Sequence, residues 1–108
     1  MKIIPSDQFA KDLKRLAKKY PSLSADLRLL QASLLENPTQ GVALGDDCYK
    51  IGLKIASKNR GKSGGARVVT LVLMLDEEIH LLTMYDKSEV ENISDSFLDE
   101  LMAAAKRR

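Results

Sequence analysis

The spacing of apolar residues changes near residue 38, and this change constrains the fold more than any other feature of the chain. Before it, apolar side chains recur every three or four residues, which indicates helices. Pro21 separates two such stretches, and Pro38 ends the second because proline disfavours helix in the residue before it. The sequence therefore predicts a short strand over residues 2–5 and then two antiparallel helices, the first capped by Ser6 and the second by Ser22 or Ser24. Their apolar stripes are Phe9, Leu13, Leu16, Ala17 and Tyr20, and then Leu23, Leu27, Leu30 and Leu34.

After residue 38 the pattern takes the two-residue period of strands. Residues 38–47 are rich in turn formers, and residues 49–56 alternate between apolar and polar positions, which indicates a half-buried strand. The apolar run 68–75 is typical of a central strand, and residues 79–85 predict another strand before a last helix capped by Ser94 or Asp95. We therefore expect an α+β fold of order β-α-α-β-β-β-α, with an antiparallel-rich sheet. We expect its inner face to take the helices and its other face to be left for function.

The bulk composition describes one domain spanning residues 1–108. A hydrophobic content of 44% with 30% charged residues is ordinary for a globular protein, and no internal repeat or linker interrupts the chain. Cys48 is the single cysteine, so it forms no internal disulfide, and no apolar run approaches the ~18–20 residues that cross a bilayer. We expect a cytoplasmic protein without a leader segment or a membrane partner.

The charge distribution is uneven along the chain. Between Asp47 and Asp76 there are six basic residues and no acidic residue, whereas the remainder holds 11 basic and 15 acidic residues. A +6 segment within a body of −4 indicates a polyanionic partner, and nucleic acid is the usual one. The six residues are Lys50, Lys54, Lys58, Arg60, Lys62 and Arg67.

Three of these cations lie in a glycine- and serine-rich loop over residues 57–65. Its backbone amides and its side chains Lys58, Arg60 and Lys62 are suited to bind phosphate, although the spacing is not that of a P-loop. A solvated hairpin loop with incidental charge is the alternative. Lys50 and Lys54 favour the binding function, because both lie on the strand face opposite the apolar positions.

Two residues near the end of the last strand are candidates for chemistry. Tyr85 offers a proton-transfer group and Lys87 a further positive charge, although a packed tyrosine with a wet hydroxyl is the commoner arrangement. His80 is interpreted as structural, and Cys48 has no base beside it that would make it a nucleophile. We expect no metal site and no cofactor.

Several segments of the chain resemble the RelE/ParE superfamily of bacterial toxins, and its HigB-like branch in particular. The segments are residues 48–51, residues 58–68 with the sequence KNRGKSGGARV, and residues 81–89 with the sequence LLTMYDKSE. The resemblance covers nearly the whole chain, and the GKSGGAR run is its most specific part. It implies the toxin of a type II toxin–antitoxin system, with a cognate antitoxin through which operator DNA is bound.

Members of the RelE- and HigB-like type cleave messenger RNA in the ribosomal A site without a metal ion, and the resemblance implies this activity here. It places Lys50 and Arg67 at positions that hold the scissile phosphate, and Lys87 near a cation that assists the leaving group. Tyr85 matches the tyrosine of the HigB-like branch, whereas the C-terminal tyrosine of RelE falls close to Ile93. Lys54 and the loop cations are the expected substrate-binding residues.

One strand position departs from the family pattern, because Gly52 stands where the family has Arg or Lys. Either the protein is an attenuated toxin or the loop cations compensate. Two further alternatives remain open: a ParE-like inhibitor of DNA gyrase, and a nucleic-acid-binding module without catalysis.

Overall fold

The computed structural model describes residues 1–57 and 65–107, which form three helices and five strands. The loop cations Lys58, Arg60 and Lys62 lie outside the described residues. The predicted α+β class and element order are confirmed, with one additional strand. In chain order the elements are β1 (Lys2–Pro5), α1 (Asp7–Ala17), α2 (Leu23–Glu36), β2 (Val42–Gly45), β3 (Cys48–Leu53), β4 (Ala66–Leu73), β5 (Glu78–Asp86) and α3 (Asp95–Lys106).

The five strands form one mixed sheet in the order β1-β5-β4-β3-β2. The β1 strand runs parallel to β5, and every other neighbouring pair is antiparallel. The first strand therefore lies at one edge of the sheet and β2 at the other. The central position of β4 agrees with its almost continuous apolar sequence, because both of its faces are covered.

The additional strand β2 falls within the segment that the sequence analysis treats as turns, so that interpretation was wrong for residues 42–45. All four residues of β2 are exposed, which leaves no alternation of buried and exposed positions that sequence could reveal. The true turn follows it, where Gly45, Asp46 and Asp47 have positive φ angles of 92°, 52° and 66°. Strand β3 is shorter than expected because it ends at Leu53, and β4 has the expected length but lies two residues earlier, at Ala66–Leu73.

Serine side chains begin two of the helices as predicted. The Ser6 hydroxyl accepts a hydrogen bond from the Phe9 amide at 3.0 Å and donates to the Leu82 carbonyl at 2.8 Å, so it joins α1 to β5. Ser94 caps α3 by accepting from the Phe97 amide at 3.1 Å. Ser22 occupies the N-cap position of α2, but its hydroxyl donates to Asp26 at 2.7 Å instead of capping a backbone amide.

The helices cover both faces of the sheet, which corrects the expectation that one face would be left free. Helices α1 and α2 pack on one face and form the first core with Ile51, Val68 and Met84. Helix α3 packs on part of the opposite face, where its residues Leu101, Met102 and Ala105 form the second core with Cys48, Val69, Leu71, Leu82 and Tyr85. The remainder of this second face is where the predicted site residues lie.

A buried carboxylate on α1 holds β5 where the strand is irregular. The β4–β5 register shifts between Val69 and Thr70. Asp12, 8% exposed, accepts hydrogen bonds near this shift from the Thr83 hydroxyl at 2.5 Å and the Met84 amide at 3.1 Å. These bonds connect α1 to β5 beside the irregular part of the ladder. The longest helix in residues 1–57 and 65–107 is α2 with 14 residues, which is short of the roughly 20 apolar residues that span a bilayer.

Candidate nucleic-acid interface

The strand register brings predicted site residues into one row across the sheet. Gly52 on β3 pairs with Arg67 on β4, and Arg67 pairs with Tyr85 on β5. Lys50 lies two residues before Gly52 and therefore on the same face, because side chains alternate along a strand. Two cations and one phenol that are up to 35 residues apart in sequence thus meet on the face that α3 partly covers.

Arg67 lies directly over Gly52. A Cβ atom placed on Gly52 would lie 3.6 Å from Nη1 of Arg67, which is ordinary van der Waals contact. The same nitrogen donates a hydrogen bond to the carbonyl of Ala66 at 3.1 Å. Because position 52 has no side chain, the Arg67 guanidinium can cross β3 at this point. The absence of a side chain at Gly52 on β3 thus leaves space next to the guanidinium of Arg67 on β4.

Tyr85 is buried, with 5% of its surface exposed, and its hydroxyl makes no hydrogen bond within residues 1–57 and 65–107. Burial raises the pKa of the Tyr85 phenol above its usual range, and the nearby positive charge of Arg67 opposes that rise. The phenol therefore stays protonated at neutral pH and can donate a hydrogen bond, although the raised pKa makes it a weaker acid.

A cavity of about 90 Å³ lies beside this row, between the sheet and the segment that enters α3. Lys50 reaches across it, and its Nζ donates a hydrogen bond to Oδ1 of Asn92 at 3.1 Å. The cavity is lined by Leu44, Lys50, Val69, Tyr85, Asn92, Ile93, Asp95 and Leu98. Asn92 and Asp95 were missed by the sequence analysis, because only the return of the chain over the sheet brings them to Lys50 and Tyr85.

Lys54 and Lys87 are exposed residues at the same end of the sheet. Lys54 directly follows β3, and Lys87 directly follows β5, where its backbone amide donates to the carbonyl of Gly65 at 3.2 Å. Gly65 in turn precedes β4 by one residue, so all three strand ends meet here. Both lysines are therefore near the row of site residues, at its solvent-exposed side.

His80 and Cys48 lie away from this row. His80 is buried, and its Nε2 lies 2.9 Å from a carboxylate oxygen of Glu78, beside a separate cavity lined in part by α3. It pairs with Leu71, which itself pairs with Cys48, so the two residues share a different part of the sheet. Burial, followed by the negative charge of Asp46, raises the pKa of the Cys48 thiol to about 11, which makes it a poor nucleophile. Among residues 1–57 and 65–107, no three His, Cys, Asp or Glu side chains are grouped so as to hold a metal ion.

Comparison with known proteins supports a fold class. No family model matches the chain. Among solved structures, the chain is similar to a double arginine-to-alanine mutant of the E. coli toxin RelE in the free state, with a TM-score of 0.60 and 20% sequence identity. The alignment covers 98% of this chain and 95% of the RelE chain. The protein therefore has a RelE-like fold, as predicted, whereas membership of the HigB-like branch stays a prediction.

Proposed function

We propose that this protein is the toxin of a type II toxin–antitoxin system and cleaves messenger RNA on the ribosome without a metal ion. The proposal rests mainly on the strand register, in which Arg67 pairs with Gly52 on one side and with Tyr85 on the other. Lys50 lies beside this row on the same face of the sheet. Two cations and a protonated phenol next to a small cavity supply the charge and the hydrogen-bond donors that phosphoryl transfer to an internal hydroxyl uses. The likeness of the whole chain to a toxin fold supports the same function.

In the proposed reaction the ribose 2′-hydroxyl gives its proton to an acceptor other than Lys50, Arg67 and Tyr85, such as a ribosomal group or water, and attacks the adjacent phosphate. The P–O5′ bond then breaks, which leaves a 2′,3′-cyclic phosphate on one product and a 5′-hydroxyl on the other. Negative charge accumulates on the pentacovalent phosphate between these steps. Arg67 and Lys50 stabilise that charge, and the planar guanidinium of Arg67 can donate two hydrogen bonds to one phosphate.

Tyr85 protonates the leaving 5′ oxygen in this proposal. The phenol carries its proton at neutral pH, and burial raises its pKa further. Lys87, at the end of β5, adds positive charge on the leaving-group side. Lys54 and the loop cations Lys58, Arg60 and Lys62 bind the RNA backbone, which makes the affinity depend steeply on salt.

Primer extension on translating ribosomes tests the proposal. The purified protein should produce new 5′ ends within codons in the A site, and no such ends would refute ribosome-dependent cleavage. Arg67→Ala should reduce the cleavage rate by about 10²–10³-fold, which is typical for loss of one oriented donor. Arg28→Ala is the matched control, because Arg28 is exposed on α2 across the sheet from the site.

The cognate antitoxin, the ribosome and messenger RNA are the proposed partners, and the pair would bind operator DNA through the antitoxin. A toxin that acts on translating ribosomes works in the cytoplasm. Co-expression with a small protein encoded next to this one should restore growth of cells that the toxin arrests. An adjacent open reading frame that leaves the arrest unchanged would count against the pairing.

A gyrase inhibitor of the ParE-like type is the second candidate, and one observation favours it. Gly52 leaves position 52 of β3 without the cation that RNA cleavage would use. DNA supercoiling by purified gyrase separates the two candidates. Inhibition of supercoiling that persists in Arg67→Ala, without ribosomal cleavage by the wild-type protein, would favour the gyrase inhibitor.

A further inference from the structure

The segment that carries Asn92 is held at both of its ends. At its start the buried carboxylate of Asp86 accepts hydrogen bonds from the Ser88 amide at 2.9 Å and the Ser88 hydroxyl at 2.7 Å. At its end Ser94 caps α3, and Ile93 packs against the second core. The position of Asn92 over the sheet is therefore set by structure on both sides of it.

Asn92 contacts a site cation through a neutral oxygen. Its Oδ1 accepts from the Lys50 ammonium at 3.1 Å, across 42 residues of sequence. An amide oxygen can orient an ammonium group without cancelling its charge, whereas a carboxylate at the same place would form an ion pair. The ammonium consequently remains available to an anion that enters the adjacent cavity.

The cavity offers a cation to an oxyanion group. Its volume is about 90 Å³, and Lys50, whose ammonium bonds to Asn92, is part of its lining. Tyr85 also lines the cavity, but its hydroxyl is buried from solvent and has no hydrogen-bond partner in the described part of the chain. Asp95 also lines the cavity and opposes the binding of an anion.

We propose that Asn92 is a positioning residue that holds the Lys50 ammonium beside this cavity and releases it to a phosphate oxygen. The RNA step of this inference rests on the proposed function. The binding of a phosphate group by Lys50 does not, and it can be measured on the free protein.

Titration with inorganic phosphate, followed by the NMR signals of the Lys50 side chain, tests the inference. Asn92→Asp has nearly the shape of the wild type, so thermal unfolding should be unchanged. Its affinity for phosphate should fall by about fivefold, the effect of a competing ion pair of about 1 kcal/mol. Asn92→Ala should lose about twofold, which is less because no competing charge is introduced. Gln31→Glu is the matched control for an amide-to-carboxylate change on a distant helix, and it should leave the affinity unchanged.

The carboxylate of Asp95, which also lines the cavity, gives the opposite expectation to Asn92→Asp. Asp95→Asn should raise phosphate affinity by a fewfold, because it removes a negative charge from the lining. Wild-type affinity in Asn92→Asp, or an equal loss in Gln31→Glu, would overturn the role of Asn92. On ribosomes Asn92→Ala should lower kcat with little change in KM. If the wild type cleaves no RNA but the variants change phosphate affinity as expected, the proposed function fails and the oxyanion site stands. If the wild type cleaves RNA but the variants do not change phosphate affinity as expected, the proposed function stands and the oxyanion site fails.

Discussion

Replacing Tyr85 with phenylalanine should separate stability from activity, because the fold makes no use of its hydroxyl. The hydroxyl is buried without a partner among the described residues, and a buried group in this state costs about 1–3 kcal/mol in desolvation. Its removal should therefore leave the free energy of unfolding unchanged or raise it by up to about 1 kcal/mol. If the phenol is the proton donor, the same change should lower the ribosomal cleavage rate by about 10²–10⁴-fold.

Tyr20 is the matched control because its hydroxyl is used in the fold. It donates to the buried carboxylate of Asp86 at 2.5 Å, on the other face of the sheet. A hydrogen bond to a charged group contributes about 1.5–3 kcal/mol, so Tyr20→Phe should lower Tm by about 6–12 °C at roughly 4 °C per kcal/mol. Urea unfolding and thermal unfolding measure the stability of both variants, and primer extension measures their cleavage. A Tyr85→Phe protein that is clearly destabilised, or one that cleaves at the wild-type rate, would refute the reasoning.

Three further predictions concern Gly52, Asp12 and Cys48. Gly52→Arg should make the protein markedly more toxic if the missing cation attenuates it. A Cβ at position 52 would make ordinary van der Waals contact with Arg67, 3.6 Å from its Nη1. Growth assays at equal expression, with Gly52→Ala as the control, measure the toxicity, and equal toxicity of Gly52→Arg and the wild type would count against attenuation. Asp12→Ala should lower the free energy of unfolding, measured with urea, by about 3 kcal/mol or more, because the Thr83 hydroxyl and the Met84 amide both lose a charged acceptor. Asp7→Ala is the control at an exposed position of the same helix and should lower it by at most about 1 kcal/mol. The pKa of Cys48 is raised in the folded state from 9.0 to about 11, so the stability that is present below pH 9 should decline as the pH rises through 11. In Cys48→Ala this part of the decline should be absent, and identical pH profiles of stability for the two proteins would contradict the prediction.

The sequence predicts most of the fold because its local signals agree with the tertiary structure. The serine caps at Ser6 and Ser94 and the apolar period of the helices identify α1, α2 and α3. The alternation around Ile51 identifies β3 in the same way. Strand β2 escapes detection because an edge strand exposed on all four residues carries no period, and its last residue Gly45 and the following Asp46 indicate a turn. The position of α3 on the second face was also missed, since an apolar helix stripe does not say which face of a sheet it will cover.

The candidate site is less predictable than the fold, because it depends on register. Sequence indicates that Lys50 and Gly52 share a face, but only the pairing of Gly52 with Arg67 and of Arg67 with Tyr85 brings the three strands together. Asn92 carries no local signal at all, since its contact with Lys50 is made across 42 residues. Burial of the Tyr85 hydroxyl is likewise a property of the packing of α3 on the sheet.

The balance of donors and acceptors at the site supports the proposed dependence on the ribosome. Lys50, Arg67 and Tyr85 are all donors in their neutral-pH forms, whereas attack by the ribose 2′-hydroxyl also requires an acceptor for its proton. Free messenger RNA should therefore be cleaved far more slowly than messenger in the A site, and a single-turnover comparison of the two substrates measures the difference. Asp95 lines the cavity and is the residue to test against this interpretation. If Asp95→Asn abolishes cleavage of both substrates, the acceptor belongs to the protein; if cleavage on the ribosome survives, the acceptor comes from elsewhere.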